Sequence, residues 1–144
     1  MVKVTKNNIR NTIEEIQNAI LITKLGYLPP HISLLQTKEF DNKGNIWFLS
    51  DKYSVCNQDL LISNEATLIY SKPESSYFLS LFGKGEIIDD PEKLEELYNE
   101  EDVTYVKKRE KETLTAIKFE ILKADYWDDL NRESNTIFTK DYLE

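Results

Sequence analysis

Asp41-Asn42-Lys43-Gly44-Asn45-Ile46-Trp47-Phe48-Leu49-Ser50 is the stretch whose reading decides the fold. Its first half is a hairpin turn, with Gly44 available for positive φ. Its second half is a run of aromatic and branched residues, which suits a strand covered on both faces. A connection this short joins antiparallel neighbours, so residues 31–40 read as the preceding strand. Upstream, Gly26 and Pro29-Pro30 mark a turn. Before that turn, residues 19–23 look like a buried strand, and Ile9, Ile13, Ile16 and Ile20 recur at the spacing of one helical face. The helix is expected to end near Asn18, with Asn7 or Asn8 as its cap.

Downstream, residues 51–63 hold a loop and a short helix with an apolar patch at Leu60, Leu61 and Ile62, ended by Asn64. Residues 66–71 form the next strand. Residues 76–88 are expected to be the longest, with Gly83 and Gly85 pointing to a bulge or a close backbone approach. Asp90, Pro91 and Glu92 combine a capping side chain, a proline at the first helical position and an acid at the positive end of the dipole. Leu94 and Leu97 give that helix an inner face. The charged stretch 100–112 reads as an exposed connection. Residues 113–122 read as a strand, 124–130 as a last short element, and 135–143 as an edge strand or tail. Hairpin-length connections predict a mostly antiparallel sheet, and strands in this number curl into a barrel or a sandwich.

Composition narrows the function. The length of 144 residues fits one domain, spanning 1–144. Lys and Arg total 18 against 26 Asp and Glu, and the resulting charge of −8 argues against a nucleic-acid partner. No apolar run reaches membrane-spanning length, and no signal-peptide core follows Lys3 and Lys6, so a soluble cytoplasmic protein is expected. One cysteine, Cys56, excludes an internal disulfide framework, and one histidine, His31, excludes the His-rich zinc patterns. The acidic clusters at Asp89-Asp90 and within 125–129 lack the alternating ligands of a calcium loop, so no metal site is expected. Without a Gly-x-Ser-x-Gly elbow, His31 has no nucleophile to serve and reads as a surface residue at a strand edge. Cys56 reads as an inert thiol. No catalytic residue is assigned.

Three blocks carry a family resemblance. Gly44-Asn45-Ile46-Trp47-Phe48-Leu49-Ser50-Asp51, followed by Ser54, is one. Leu81-Phe82-Gly83-Lys84-Gly85-Glu86-Ile87-Ile88-Asp89-Asp90, continuing into Lys93-Leu94-Glu95-Glu96-Leu97-Tyr98, is the second. Ala124-Asp125-Tyr126-Trp127-Asp128 is the third. In order and spacing they resemble the pyridoxamine 5′-phosphate oxidase-like proteins, in particular the small general stress protein branch. The resemblance implies a mainly β (α+β) split β-barrel of about six antiparallel strands with peripheral helices. It also implies a homodimer with FMN in a groove between the subunits, and a possible oxidoreductase activity.

The positions it carries over as flavin contacts are Ser33, Leu34 and Leu35 on the second strand, Ser50 and Asp51 at the end of the third, Ser54 and Cys56 after it, and Trp127. Ser50 and Ser54 match hydroxyl positions of the family. Ser33 stands where the family has an arginine and Cys56 where it has a phosphate-binding lysine. A Pro-Gly-Asp-Asp-Pro-like segment is replaced here by the charged run. The expectation is therefore FMN binding that is weakened or lost. The alternative is a non-enzymatic dimeric module that uses the groove for another small molecule or for none.

Overall fold

The computed structural model describes residues 6–72, 77–98, 113–127 and 135–138. The charged run 100–112, the turn residues 73–75 and Asp128 lie outside the described residues. Helix α1 (Lys6–Ile16) leads into strands β1 (Asn18–Thr23), β2 (His31–Phe40) and β3 (Asn45–Asp51). Helix α2 (Val55–Ile62) follows, then β4 (Glu65–Lys72), β5 (Tyr77–Ile88), helix α3 (Pro91–Leu97), β6 (Leu114–Trp127) and β7 (Asn135–Phe138). The strands pair in the order β3-β2-β1-β4-β5-β6, and a further β3–β6 pairing closes them into a six-stranded antiparallel barrel.

β6 is the longest strand, with 14 residues. The sequence reading divided it in two and gave first place to residues 76–88. The structure runs it unbroken, because one of its edges is used twice: residues 114–120 pair with β3 and residues 123–126 with β7. Its other edge pairs with β5 from Ala116 to Trp127, with a register shift between Phe82 and Gly83. Gly83 is required at that shift, since a Cβ there would run into the Glu120 carbonyl. β3 is covered on both faces, as its composition demands. Ile46 and Phe48 face the main core, while Trp47 packs with Leu97 and Ala116 beneath α3. Asp90 caps α3, its side chain accepting from the Glu92 amide, with Pro91 in the first turn.

A helix stoppers each end of the barrel. α1 buries Ile9 and Ile13 against β2 and β4; burial of an isoleucine side chain contributes about 1.5–3 kcal/mol. Asn7 and Asn8 lie within this helix rather than ahead of it. At its other end Gln17 takes a left-handed conformation, φ 63°, and its carbonyl accepts the Thr37 amide, which turns the chain directly into β1. Arg10 secures this end. Its guanidinium lies over the Phe40 ring and donates to the carbonyls of Phe40 and Asp41. α2 covers the opposite end, where β1, β3 and the inner stretch of β5 finish. Ser54 caps it, Cys56 and Leu60 enter the core, and Leu60 rests on Gly85.

Candidate functional site

The α2 end gathers most of the residues that the resemblance singled out. The β2–β3 ladder stops at Thr37–Phe48, so Ser33, Leu34, Leu35, Ser50 and Asp51 lie beyond its last paired residues, where the two strands part. Side chains alternate along β2. His31, Ser33 and Leu35 share the inner face with their β1 partners Thr23, Leu21 and Ala19. Ile32 and Leu34 point outward and are well exposed, at 70% and 65%.

The hydroxyls at this end are committed to one another. Ser50 is buried and its Oγ lies 2.8 Å from Thr115 Oγ1 on β6. The fully buried Asn57 donates through Nδ2 to the same Thr115 oxygen at 2.7 Å. Ser54 Oγ accepts the Asn57 amide at 3.3 Å and lies 3.4 Å from Cys56 Sγ. The Asp51 carboxylate takes the Tyr53 amide at 2.7 Å and the Thr113 hydroxyl at 3.2 Å. Cys56 is buried, so its position offers an anion neither a cation nor access. Among the described residues no buried side-chain polar atom lacks a partner. These residues therefore do not fit a tightly held phosphate: the donors it would need are already engaged. Trp127 stands apart from them. It pairs with Phe78 at the end of the barrel beneath α1.

His31 is part-exposed at the start of β2, and the structure adds a partner that the sequence does not show. His31 Nδ1 lies 2.6 Å from Oδ2 of Asp59 on α2, and Thr23 Oγ1 donates to the same oxygen at 2.8 Å. Asp59 is 9% exposed and His31 40%. Burial pushes the Asp59 carboxyl up, but hydrogen bonds from His31 and Thr23, with the charges of His31 and Lys24, outweigh it and hold it below the usual carboxylate range. Asp59, Asn57 and Thr115 went unremarked in the sequence. The signal available was the spacing of four between Cys56 and Leu60, which defines the inner face of α2 and sets Asn57 and Asp59 on its flanks.

The far end has a carboxylate of its own, Asp41, at the β2–β3 turn. It accepts the amides of Lys43 and Asn45 and the indole N–H of Trp47 at 2.8 Å. Burial raises its pKa, and these bonds more than reverse that. A cleft of about 360 Å³ beside it is walled by Glu39, Asp41, Lys43, Trp47 and Lys118. Asp41 is fully used in shaping the turn. Lys93 there pairs with Glu39 at 2.7 Å and covers the Trp47 ring.

The sequence pattern of the "Pyridoxamine 5'-phosphate oxidase like" family matches residues 5–142. The chain belongs to that family. Solved structures agree on the fold. A Clostridium acetobutylicum protein related to general stress protein 26 is 18% identical, with 96% of each chain covered and a TM-score of 0.81. General stress protein 26 of Bacillus anthracis is 15% identical, with 92% of this chain and 97% of that one covered and a TM-score of 0.75. A Nostoc punctiforme protein described as pyridoxamine 5′-phosphate oxidase-related and FMN binding is 12% identical, with 94% and 90% covered and a TM-score of 0.71. No curated protein matches the chain. As a member of the pyridoxamine 5′-phosphate oxidase-like family it shares the fold of these structures. Among the described residues no helix is long and apolar enough to cross a membrane, and no cluster of three or more potential ligands could hold a metal ion.

Proposed function

We propose that the protein is a homodimeric, cytoplasmic flavin-binding barrel whose grip on the FMN phosphate is weakened. The observation that carries this reading is the closed network of Ser50, Asn57 and Thr115 beside a buried Cys56. Each charge-assisted bond to a phosphate contributes about 1.5–3 kcal/mol. Loss of two such bonds lowers affinity by roughly two to four decades. FMN supplies the redox chemistry when bound. The chain contributes the groove, the α2 terminus and the placement of Ser54, and no side chain is assigned as a catalytic acid or base.

The outer face of β1 and β2 supports the dimer. Ile20 faces Leu34 and Ile22 faces Ile32 across the ladder, and Ile20, Ile32 and Leu34 are all exposed. A second copy laid on these pairs would remove apolar surface from water. It would also give Trp127 of one subunit a route to the α2 end of the other. The free thiol of Cys56 accords with a reducing compartment.

An absorbance spectrum tests the flavin reading. The purified protein is expected to be colourless, with a shifted flavin band appearing on titration with excess FMN. Stoichiometric flavin as purified would overturn the weakened grip. A spectrum unchanged at high FMN would favour the non-enzymatic module, which the self-satisfied network also suits. Light scattering at micromolar concentration is expected to give twice the chain mass, and a monomer mass would overturn the dimer.

A further inference from the structure

The three described helices differ on the side turned away from the barrel. α1 and α3 carry exposed charges there, Glu14 and Glu15 on the first and Glu92, Glu95 and Glu96 on the second. The exposed positions of α2 are Val55, Gln58, Leu61 and Ile62. None of them is charged, in a chain with 31% charged residues. Leu61 is 71% and Ile62 86% exposed, and Tyr53, just ahead of the helix, is exposed with them. A helix that is apolar on its outer side as well as its inner side needs cover on both.

The area available indicates what covers it. Ile20, Ile32 and Leu34 on the β1–β2 face present roughly 300 Å² per copy, whereas a standard interface takes about 800 Å² from each partner. That face alone is too small to hold a stable dimer. Tyr53, Val55, Leu61 and Ile62 add roughly 500 Å², which brings the total to the size a stable pair needs. The two patches adjoin, because Asp59 ties α2 to Thr23 and His31, the neighbours of Ile22 and Ile32 on the ladder. Charge agrees with this. At −8 per copy two chains repel one another over most of their surface, and α2 sets no exposed acid against a second copy.

We propose that the outer face of α2 belongs to the dimer interface, so that a second copy of this chain lies across the α2 end and covers the gap where β2 and β3 part. This rests on the dimer reading above and extends it from the sheet to the helix. The candidate site is then enclosed only in the assembled pair, with the partner as one of its walls.

Hydroxyl-radical footprinting of the full chain tests this, with sedimentation fixing the dimer fraction at each concentration. Labelling of Tyr53, Leu61 and Ile62 should be lost as the dimer forms and return on dilution to the monomer. Leu61→Glu combined with Ile62→Glu should raise the dimer dissociation constant about a hundredfold or more, the scale of two central apolar anchors. Leu61→Ser with Ile62→Ser should do the same without added charge, and it serves should the glutamates disturb folding. Glu95→Lys, on the exposed side of α3, should leave the dimer intact. Equal labelling of α2 in monomer and dimer would overturn the inference, as would α2 variants that dimerise like the wild type while Ile32→Glu does not. Either result leaves the dimer reading standing and the α2 face to a different protein. A wild type that is monomeric at every concentration would overturn the dimer reading and this inference with it.

Discussion

The two ends of the barrel are closed by helices of similar standing but opposite chemistry. α1 closes its end with Ile9 and Ile13, both fully buried, and uses Arg10 outside to fasten the rim. α2 closes the other end with Leu60 and Cys56 but carries Asn57 and Asp59 in with them. Each of those polar groups then needs a partner from a distant strand: Thr115 on β6 for one, Thr23 and His31 for the other. An apolar plug tolerates small displacements, because dispersion contacts have no preferred direction. A polar plug tolerates few, because a hydrogen bond lost in a buried site leaves an unsatisfied group. The end that holds the candidate site is thus fixed by directional contacts, and the far end by volume.

The sharpest way to break this contrast is truncation at each end. Ile13→Ala should cost about 2–5 kcal/mol in urea unfolding by opening a cavity, with flavin affinity unchanged. Asn57→Ala should cost less, about 1–3 kcal/mol, yet alter flavin binding by releasing Thr115 and Ser50. If the two variants changed flavin affinity alike, the division of labour between the ends would collapse.

The carboxylates Asp59 and Asp41 offer a gentler comparison. Each is held below its ordinary value in the folded state, so each stabilises the fold above the unfolded carboxylate pKa of about 4 and loses that contribution as pH falls through its lower folded value. Acid titration of stability should therefore be shallower in Asp59→Asn and in Asp41→Asn than in the wild type below about pH 4. Only the first lies at the candidate site, so only it should also alter flavin affinity. The smallest effect expected is that of Lys72→Ala, which removes an exposed ion pair with Glu15 beside α1. It should change stability by less than about 1 kcal/mol and fade further in high salt. A larger loss would show that α1 is held by charge as much as by its isoleucines.

The sequence was legible wherever a signal was local. The turn at Gly44, the aromatic run of β3, and the Asp90-Pro91-Glu92 start of α3 each specify their structure within a few residues, and all three stand in the fold. β6 was misread because its middle mixes polar and apolar residues; both its faces and both its edges are in use, which no window of the chain records. The site was harder. Ser50 meets Thr115 across 65 positions and His31 meets Asp59 across 28, and such contacts leave no periodicity to follow. The resemblance directs attention to Ser33 and Cys56, while nothing local to His31 announces Asp59, its partner on another element. Trp127 sits with the others in the resemblance but at the opposite end of the barrel within one chain.

β6 also has a consequence for how the chain reaches this fold. It is the strand that closes the ring, bonding to β5 and to β3. Its contact with β3 spans a large separation along the sequence, so loop-closure entropy must be overcome before that ladder contributes anything. During synthesis, β1 to β5 emerge and pair while the outer edges of β3 and β5 still wait for their shared neighbour. Until residue 114 and those after it arrive, the nascent protein is an open five-stranded sheet with two unpaired edges, the form in which a β protein is most exposed to association with other chains.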